Sequence, residues 1–484
     1  MRPHVDRASS RPLSTLVDKA VEWRPVLDRR RGATKHAVLT ERIIADIDSG
    51  ILKPMDRMPT HRDLARVLGV SVQTVSLSYK EAERLGYLSG EIGRGTFVKI
   101  RVTDRAGGLM LDRSPTELVD LSIVRGVYLD AHEAASRQVL AALAADDNAA
   151  FMRPCRPIAG LDRHRETARL WLEPLGVDAP AERILITNGA AHGLFLALAC
   201  VVRSGDLVLT ESLTDHGVIG LANILGFSLK GLPTDDEGIR PEAFEAACRA
   251  GGVRALVMIP TLNNPTSHVA GAERRHAIAE IARRHGVFVI EDEVYKPLVE
   301  EDLPSIATLL PHLGFFVTSF TKAVLTGLRV GYLVVPPHYA IRATSILRVT
   351  SWSGTYLPAE IATRWVEDGT ARELLRIQRQ EARARQHIVA QTLGDHVAST
   401  HPLSLCAWLR IPPHWTEDGL VRSLADRRIA VTPSDPFVAG AGAGGGIRIC
   451  LGGRVTQAHL ARTLTTVRET FDQYAPVFDI GGIG

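Results

Sequence analysis

The sequence predicts an α/β protein whose body is built on a mostly parallel β-sheet, preceded by a small head of three helices and a hairpin. Three observations carry this expectation. From residue 184 onward, seven apolar runs of buried type alternate with helical stretches, the rhythm of a parallel sheet covered by helices. The first hundred residues instead show short helices and then two alternating strands. Charge divides at the same place: residues 1–101 carry 19 Lys/Arg against 12 Asp/Glu, a net of +7, which leaves −4 for residues 102–484 of a chain whose total is +3.

Length and composition set the outer limits. At 484 residues, 45% apolar and 23% charged, the chain is too long for one ordinary domain and too apolar for disorder. Its five cysteines, Cys155, Cys200, Cys248, Cys406 and Cys450, lie far apart and form no CxxC or Cys/His cluster, so neither a disulfide frame nor a metal site is expected. The basic N-terminus lacks the continuous apolar stretch of a secretion signal, and the most apolar run, Gly193 to Val202, is too short to span a bilayer. A cytoplasmic protein with no membrane partner is the expectation.

Residues 1–33 are Arg-rich with little periodicity and read as a mobile extension. A first helix starts at Thr34, with Val38, Ile43, Ile44 and Ile47 on one face and Gly50 as its stop. Thr60-His-Arg-Asp63 has the spacing of a capping box and opens a second helix that ends at Gly69. Ser71 caps a third helix that runs to Leu85 and ends at Gly86. Two alternating strands, around Tyr87 to Ser89 and Thr96 to Ile100, flank a Gly-rich turn. Three helices and a hairpin make a winged helix-turn-helix over residues 34–101. Residues 102–116, rich in Asp, Arg, Gly, Ser and Pro, read as a linker, and residues 117–484 as the body.

In the body the apolar runs are Ile184 to Ile186, Leu207 to Leu209, Phe227 to Leu229, Ala255 to Ile259, Phe288 to Ile290, Phe315 to Thr318 and Tyr332 to Val335, with helical stretches such as Glu273 to Arg284 between them. Polar motifs follow several of these runs, and open α/β sheets place their ligands at the carboxyl ends of their strands. Glu291-Asp292-Glu-Val-Tyr295, Pro260-Thr-Leu-Asn-Asn264-Pro265 and Ser319-Phe-Thr-Lys322 all sit there. Thr187-Asn-Gly189-Ala190-Ala191 joins a strand to a helix, where small residues let backbone N–H groups approach an anion. The run Gly440 to Gly446 lacks a following Lys-Ser/Thr and is read as a connection rather than a nucleotide loop.

The second helix of a helix-turn-helix enters the major groove. Ser71, Gln73, Thr74 and Ser76 occupy its exposed N-terminal part, where Gln can contact adenine and hydroxyls can reach phosphates. Arg62 adds a phosphate contact, and Gly93 and Arg94 form the tip of the wing. Taken singly, each such Ser or Thr is more often a cap than a contact. In combination, Gly50-Ile-Leu-Lys-Pro54, Met58-Pro-Thr-His-Arg-Asp-Leu-Ala65, Leu68-Gly-Val-Ser-Val-Gln-Thr-Val75 and Gly93-Arg-Gly-Thr-Phe-Val98 resemble the GntR-type winged helix over nearly its full length. That resemblance implies binding to double-stranded promoter DNA. Val72 and Ser76 stand where the family often has Arg, so its base preference does not carry over.

Ser319-Phe-Thr-Lys322 followed by Gly327-Leu-Arg329-Val-Gly331 resembles the lysine motif of the fold-type I aminotransferases, which are pyridoxal 5'-phosphate proteins with a mostly parallel seven-stranded sheet and a small C-terminal α+β subdomain. The resemblance implies that Lys322 holds the cofactor as a Schiff base and that Ser319 and Arg329 bind its phosphate together with the N–H groups of Gly189, Ala190 and Ala191. By the same resemblance Asp292 keeps the ring nitrogen protonated, Tyr295 and Asn264 reach the phenolate oxygen, and Arg448 in Ile447-Arg448-Ile-Cys-Leu clamps the carboxylate of a ligand. The competing reading makes Glu291, Asp292 and Glu293 a solvated acidic turn and Lys322 a solvated charge.

A GntR-type head on such a body resembles the MocR family of bacterial regulators, over nearly the whole chain after the extension. The resemblance implies a homodimer whose small amine or amino-acid effector displaces Lys322 from the cofactor. The rival is an active aminotransferase, and a third possibility is a scaffold that keeps the fold without cofactor. Two departures favour sensing over turnover: Cys155 stands where related chains often place a tyrosine, and Asp215 replaces a common aromatic. His192 and His216 remain candidates for stacking on the cofactor ring.

Overall fold

The computed structural model describes residues 23–25, 34–48, 51–52, 56–84, 87–91, 95–98, 118–146, 156–440 and 445–473. The chain divides into two compact units, Met1–Asp112 and Arg113–Gly484.

The head contains α1 (Lys35–Asp48), α2 (His61–Leu68), α3 (Val72–Arg84) and the antiparallel pair β1 (Leu88–Glu91) and β2 (Gly95–Val98). Local chemistry sets the helix ends. The Asp63 N–H donates to Thr60 Oγ1 at 3.2 Å, and Gly69 closes α2 in the left-handed conformation. The return bond of the expected capping box is altered, because the short Asp63 carboxylate accepts from the Thr60 hydroxyl at 2.7 Å. Leu39, Ile43, Val75, Tyr79, Leu64 and Val98 form the core. Gly50 and Gly86, expected as helix stops, and the wing residues Gly93 and Arg94 lie outside the described residues.

Trp23, in the stretch 1–33 read as a mobile extension, is anchored to the head. Its ring is buried in the head core, and its Nε1–H donates to Asp46 Oδ2 at 2.8 Å while Arg42 pairs with the other oxygen. A tryptophan has a large apolar face and one polar edge, so it docks where a buried acceptor meets it. Trp23→Ala is expected to destabilise the head by about 3–5 kcal/mol, read as an earlier thermal loss of DNA binding.

The body is organised by a seven-stranded sheet of β3 (Ile184–Thr187), β4 (Leu207–Glu211), β5 (Ser228–Leu232), β6 (Val253–Met258), β7 (Phe288–Asp292), β8 (Gly314–Ser319) and β9 (Gly331–Val334). Each expected apolar run supplies one strand. Their order is β3-β9-β8-β7-β6-β4-β5, and β9 alone runs antiparallel to its neighbours. Helices cover both faces, including α4 (Ala190–Val201), α5 (His216–Leu225) and α6 (Ala272–His285). Gly331 lets β9 pass close to the β3–α4 turn, since a Cβ there would come within 2.7 Å of the Gly189 carbonyl carbon and Thr187 Oγ1.

A second sheet, of β10 (Val397–Ser399), β11 (Cys406–Leu409), β12 (Thr432–Pro433) and β13 (Ile447–Cys450), packs its Ala407, Leu409, Ile447 and Ile449 face against C-terminal helices. The opposite face carries Cys406, Trp408, Arg448 and Cys450, as the two-residue period of a strand requires. The short strand Val119–Asp120 pairs with Ile429–Ala430, so the start of the body joins the C-terminal subdomain. No helix among the described residues is long and apolar enough to cross a membrane.

Candidate functional site

The strand order brings the polar motifs to one edge. Asn188 and Gly189 leave β3, Asp292 ends β7, and Lys322 follows β8 on the short helix α7 (Phe320–Ala323). Asp215 and Asn264 follow β4 and β6, and Arg329 enters β9 from the same side because β9 is antiparallel. Arg448 comes from β13 of the smaller sheet and is nevertheless bonded to Asn264.

Lys322 is half-buried, and its Nζ donates to the Val124 carbonyl. Burial lowers its pKa below that of an ordinary lysine, opposed by the nearby charge of Asp215. Asp292 is buried, and its carboxylate accepts the Val294 N–H at 3.3 Å. Burial first, and Asp215 second, push its pKa up to about 8.

Glu291 and Glu293 point to the other face of the strand. Arg275 pairs there with Glu293 at 2.7 Å and Glu291 at 3.3 Å, and Glu291 also accepts from Ser305 Oγ and from the N–H groups of Ile306 and Ala307. The three acidic residues are therefore not a solvated turn: two brace the fold and only Asp292 faces the site.

Asn264 is the centre of a side-chain chain. Its Nδ2 donates to Asp215 Oδ2 at 2.6 Å, and its Oδ1 accepts from Arg448 Nη1 at 2.8 Å. Arg448 is buried, stacks over Phe437 at 4.7 Å, and donates through Nη2 to the Ser122 carbonyl and to Thr432 Oγ1. Asp215 also caps α5, accepting the Gly217 N–H at 2.7 Å. Burial would raise its pKa, but His216, that N–H, Asn264 and Arg448 together hold it below the ordinary value. It is ionised at neutral pH.

At the anion end, Gly189 adopts φ +82 and precedes α4, and a Cβ there would lie 2.9 Å from Arg329 Nη2. The guanidinium of Arg329 thus lies over the helix N-terminus, where partial positive charge also gathers. Ala190 is buried and Ala191 exposed. Ser319 is buried and uses its hydroxyl oxygen to accept the Thr321 N–H at 3.3 Å. His192 is tied to the Asn188 N–H and to Thr350 Oγ1, and the ring of His216 meets Phe437 edge-on.

Several polar groups around Lys322 have no partner among the described residues: the Thr321 hydroxyl and Arg448 Nε are buried and unpaired, and the hydroxyl of Tyr295, a buried residue, makes no hydrogen bond. Burial is the largest cause of the strong rise in the Tyr295 pKa. A cluster that holds an amine, a protonated carboxyl, a phenol and an anion cradle, each under-bonded, fits a polar ring cofactor with a phosphate.

Sequence reading missed the Val124 and Ser122 carbonyls, Thr432 and Phe437, and it treated Asp215 only as a departure. Main-chain carbonyls carry no sequence signal, but the polar Asp215 after a β-strand was a usable one. Cys155 lies outside the described residues.

In the head, Arg62, Ser71 and Gln73 are exposed, and Thr74 and Ser76 are half-buried. The Ser71 and Thr74 hydroxyls lie 2.8 Å apart and Ser71 Oγ accepts the Thr74 N–H, so both are partly engaged in capping α3. Gln73 projects from the same first turn as an exposed polar side chain. Val72 and Leu77 are exposed on the same helix.

Comparison with known proteins agrees with both units. Residues 119–467 match the family described as aminotransferase class I and II, and residues 36–98 match the bacterial regulatory proteins of the gntR family. The HTH-type transcriptional regulator YdeF of Bacillus subtilis (strain 168) is 25% identical over 429 residues, covering 89% of this chain and 92% of YdeF. The HTH-type pyridoxine biosynthesis transcriptional regulator PdxR of Corynebacterium glutamicum is 27% identical, covering 84% of this chain and 90% of PdxR. Among solved structures, the α-aminoadipate aminotransferase LysN from Thermus thermophilus, complexed with N-(5'-phosphopyridoxyl)-L-leucine, superposes with a TM-score of 0.65 at 21% identity, covering 76% of this chain and 96% of LysN. At that identity the likeness is one of fold.

Proposed function

The chain belongs to the aminotransferase class I and II family and carries a gntR-family regulatory domain in front of it, the MocR arrangement, and from that premise we propose a cytoplasmic, homodimeric transcription regulator that senses a carboxylate-bearing primary amine. The cofactor of this fold is pyridoxal 5'-phosphate. Lys322 would hold it covalently, Asp292 would face its ring nitrogen, and Tyr295 and Asn264 its phenolate oxygen. Ser319, Arg329 and the N–H groups of Gly189, Ala190 and Ala191 would hold its phosphate. When bound, the cofactor supplies an electrophilic carbon that accepts a primary amine.

The chain's own groups account for reversible sensing. Burial lowers the proton affinity of Lys322, so once displaced its amine releases its proton readily and can return. Arg448 retains N–H donors, Nε among them, for the effector's carboxylate, and a planar guanidinium suits that group. The conjunction of a DNA-reading head and a convergent Lys322–Asp292–Asn264–Arg448 site on one chain carries this reading. Regulation requires that the effector bind one conformation better than another. Two heads in a dimer would read paired half-sites of a promoter.

The test is incubation of the cofactor-loaded protein with carboxylate-bearing amines and a keto acid. A changed cofactor absorption band together with altered promoter binding, without sustained amino transfer, is the expected result; rapid multiple turnover makes the protein an aminotransferase instead. In the head, Gln73→Ala is expected to cost about 1–3 kcal/mol of DNA affinity and to relax preference at one base pair. Arg62→Ala weakens all sequences alike and lowers the salt dependence by about one phosphate contact. Titrations on operator and random duplex at several salt concentrations separate the two effects.

A further inference from the structure

Asp215 is the site residue for which the cofactor has no evident use. Its carboxylate receives hydrogen bonds from two neutral donors, the Gly217 N–H and Asn264 Nδ2. No side-chain cation bonds to it directly among the described residues, and the Nδ1 of the neighbouring His216 is 3.8 Å away, beyond hydrogen-bond distance. The carboxylate therefore keeps its negative charge and has spare acceptor positions. Its location is equally specific. Through Asn264, it is one side chain removed from Arg448, and where Asn264 and Arg448 are buried, the Asp215 side chain is 27% exposed. It forms the solvent-facing wall beside the guanidinium that would clamp a carboxylate.

An effector offering only one amine and one carboxylate would bring its carboxylate up against Asp215, and like charges at such spacing oppose binding. A second cationic nitrogen on the effector turns that opposition into a charge-assisted hydrogen bond. We propose that Asp215 makes the site selective for amino acids with a second cationic nitrogen, its carboxylate receiving the distal ammonium while Arg448 holds the carboxylate and the other amine displaces Lys322. This specificity rests on the sensor reading given above.

The experiment uses the full-length, cofactor-loaded protein and chain-matched pairs of probes: 2,4-diaminobutyrate against 2-aminobutyrate, ornithine against norvaline, and lysine against norleucine. Cofactor absorption and promoter binding are the readouts. The wild type is expected to favour the diamino member of at least one pair roughly 10- to 100-fold. Asp215→Asn keeps an α5 cap and removes the charge, so it should weaken the diamino ligand and strengthen its monoamino partner; Asp215→Glu should restore much of the preference. A merely structural role would move both members in the same direction and would overturn the proposal. Equal affinities in the wild type also overturn it while leaving the sensor reading intact. If no amine in either set perturbs the cofactor, both fall.

Discussion

Lys322→Ala is expected to abolish covalent attachment of the cofactor completely while leaving DNA binding by the head in place. The neighbouring lysine in the body is not placed to substitute. Lys296, the nearest in sequence, is buried, donates to the Leu303 carbonyl at 2.7 Å and lies 3.9 Å from Glu293, on the side of the strand that braces the fold. The head has its own core and forms a separate compact unit, so loss of a lysine in the body leaves its helices intact. Reduction with borohydride followed by mass spectrometry of the peptides should locate the cofactor on Lys322 in the wild type and nowhere in the variant. Recovery of a reduced cofactor adduct in the variant would mean that another amine is the anchor.

The second large effect concerns Asp292 and pH. Its carboxyl has an ordinary value of 3.8 and rises to about 8 in the fold, through burial and then the neighbouring charge of Asp215. Between those values an unfolded chain has lost the proton while the folded chain still holds it. The cofactor-free body should therefore lose stability as pH climbs from about 4 towards about 8, by up to the order of 5 kcal/mol. Below that window both states are protonated and the contribution is complete. A cationic ring nitrogen would let Asp292 ionise in place, so cofactor should flatten the slope. Thermal melts between pH 5 and 8, with and without pyridoxal phosphate, provide the measurement, with Asp292→Asn as reference. Parallel slopes for wild type and variant would show that Asp292 is ionised in the free protein.

Much of this was legible beforehand, for local reasons. Most of the seven strands were visible because each is a short apolar run buried on both faces, the edge strand β5, with Ser228 and Lys230 exposed, being marked only by the run Phe227 to Leu229. The head helices were visible because Thr60, Gly69 and Ser71 mark their ends through their own hydrogen bonds or backbone freedom. Trp23 was not legible, since its anchor is Asp46 on another element and nothing in its neighbours announces that pairing. Glu291, Asp292 and Glu293 were ambiguous for a different reason: three adjacent acids are solvated in most settings, and only a partner such as Arg275 makes their burial tolerable.

The sequence by itself determined which segments are strands and helices, and that the polar motifs with Asp292, Lys322, Asn264 and Gly189 follow strands. Those features depend on periodicities of two and 3.6 residues and on end signals spanning a few positions. Tertiary structure alone decided which of them meet. The Lys322 amine rests on a carbonyl 198 residues earlier, and Arg448 bonds to Asn264 across 184 residues. Those encounters follow from the order of strands in the sheet and from the placement of the smaller sheet beside it, neither of which has a local signature. Burial then made Lys322 less basic and Asp292 reluctant to ionise, whereas at Asp215 the Gly217 N–H, Asn264 and the neighbouring charges outweigh burial and keep it a carboxylate.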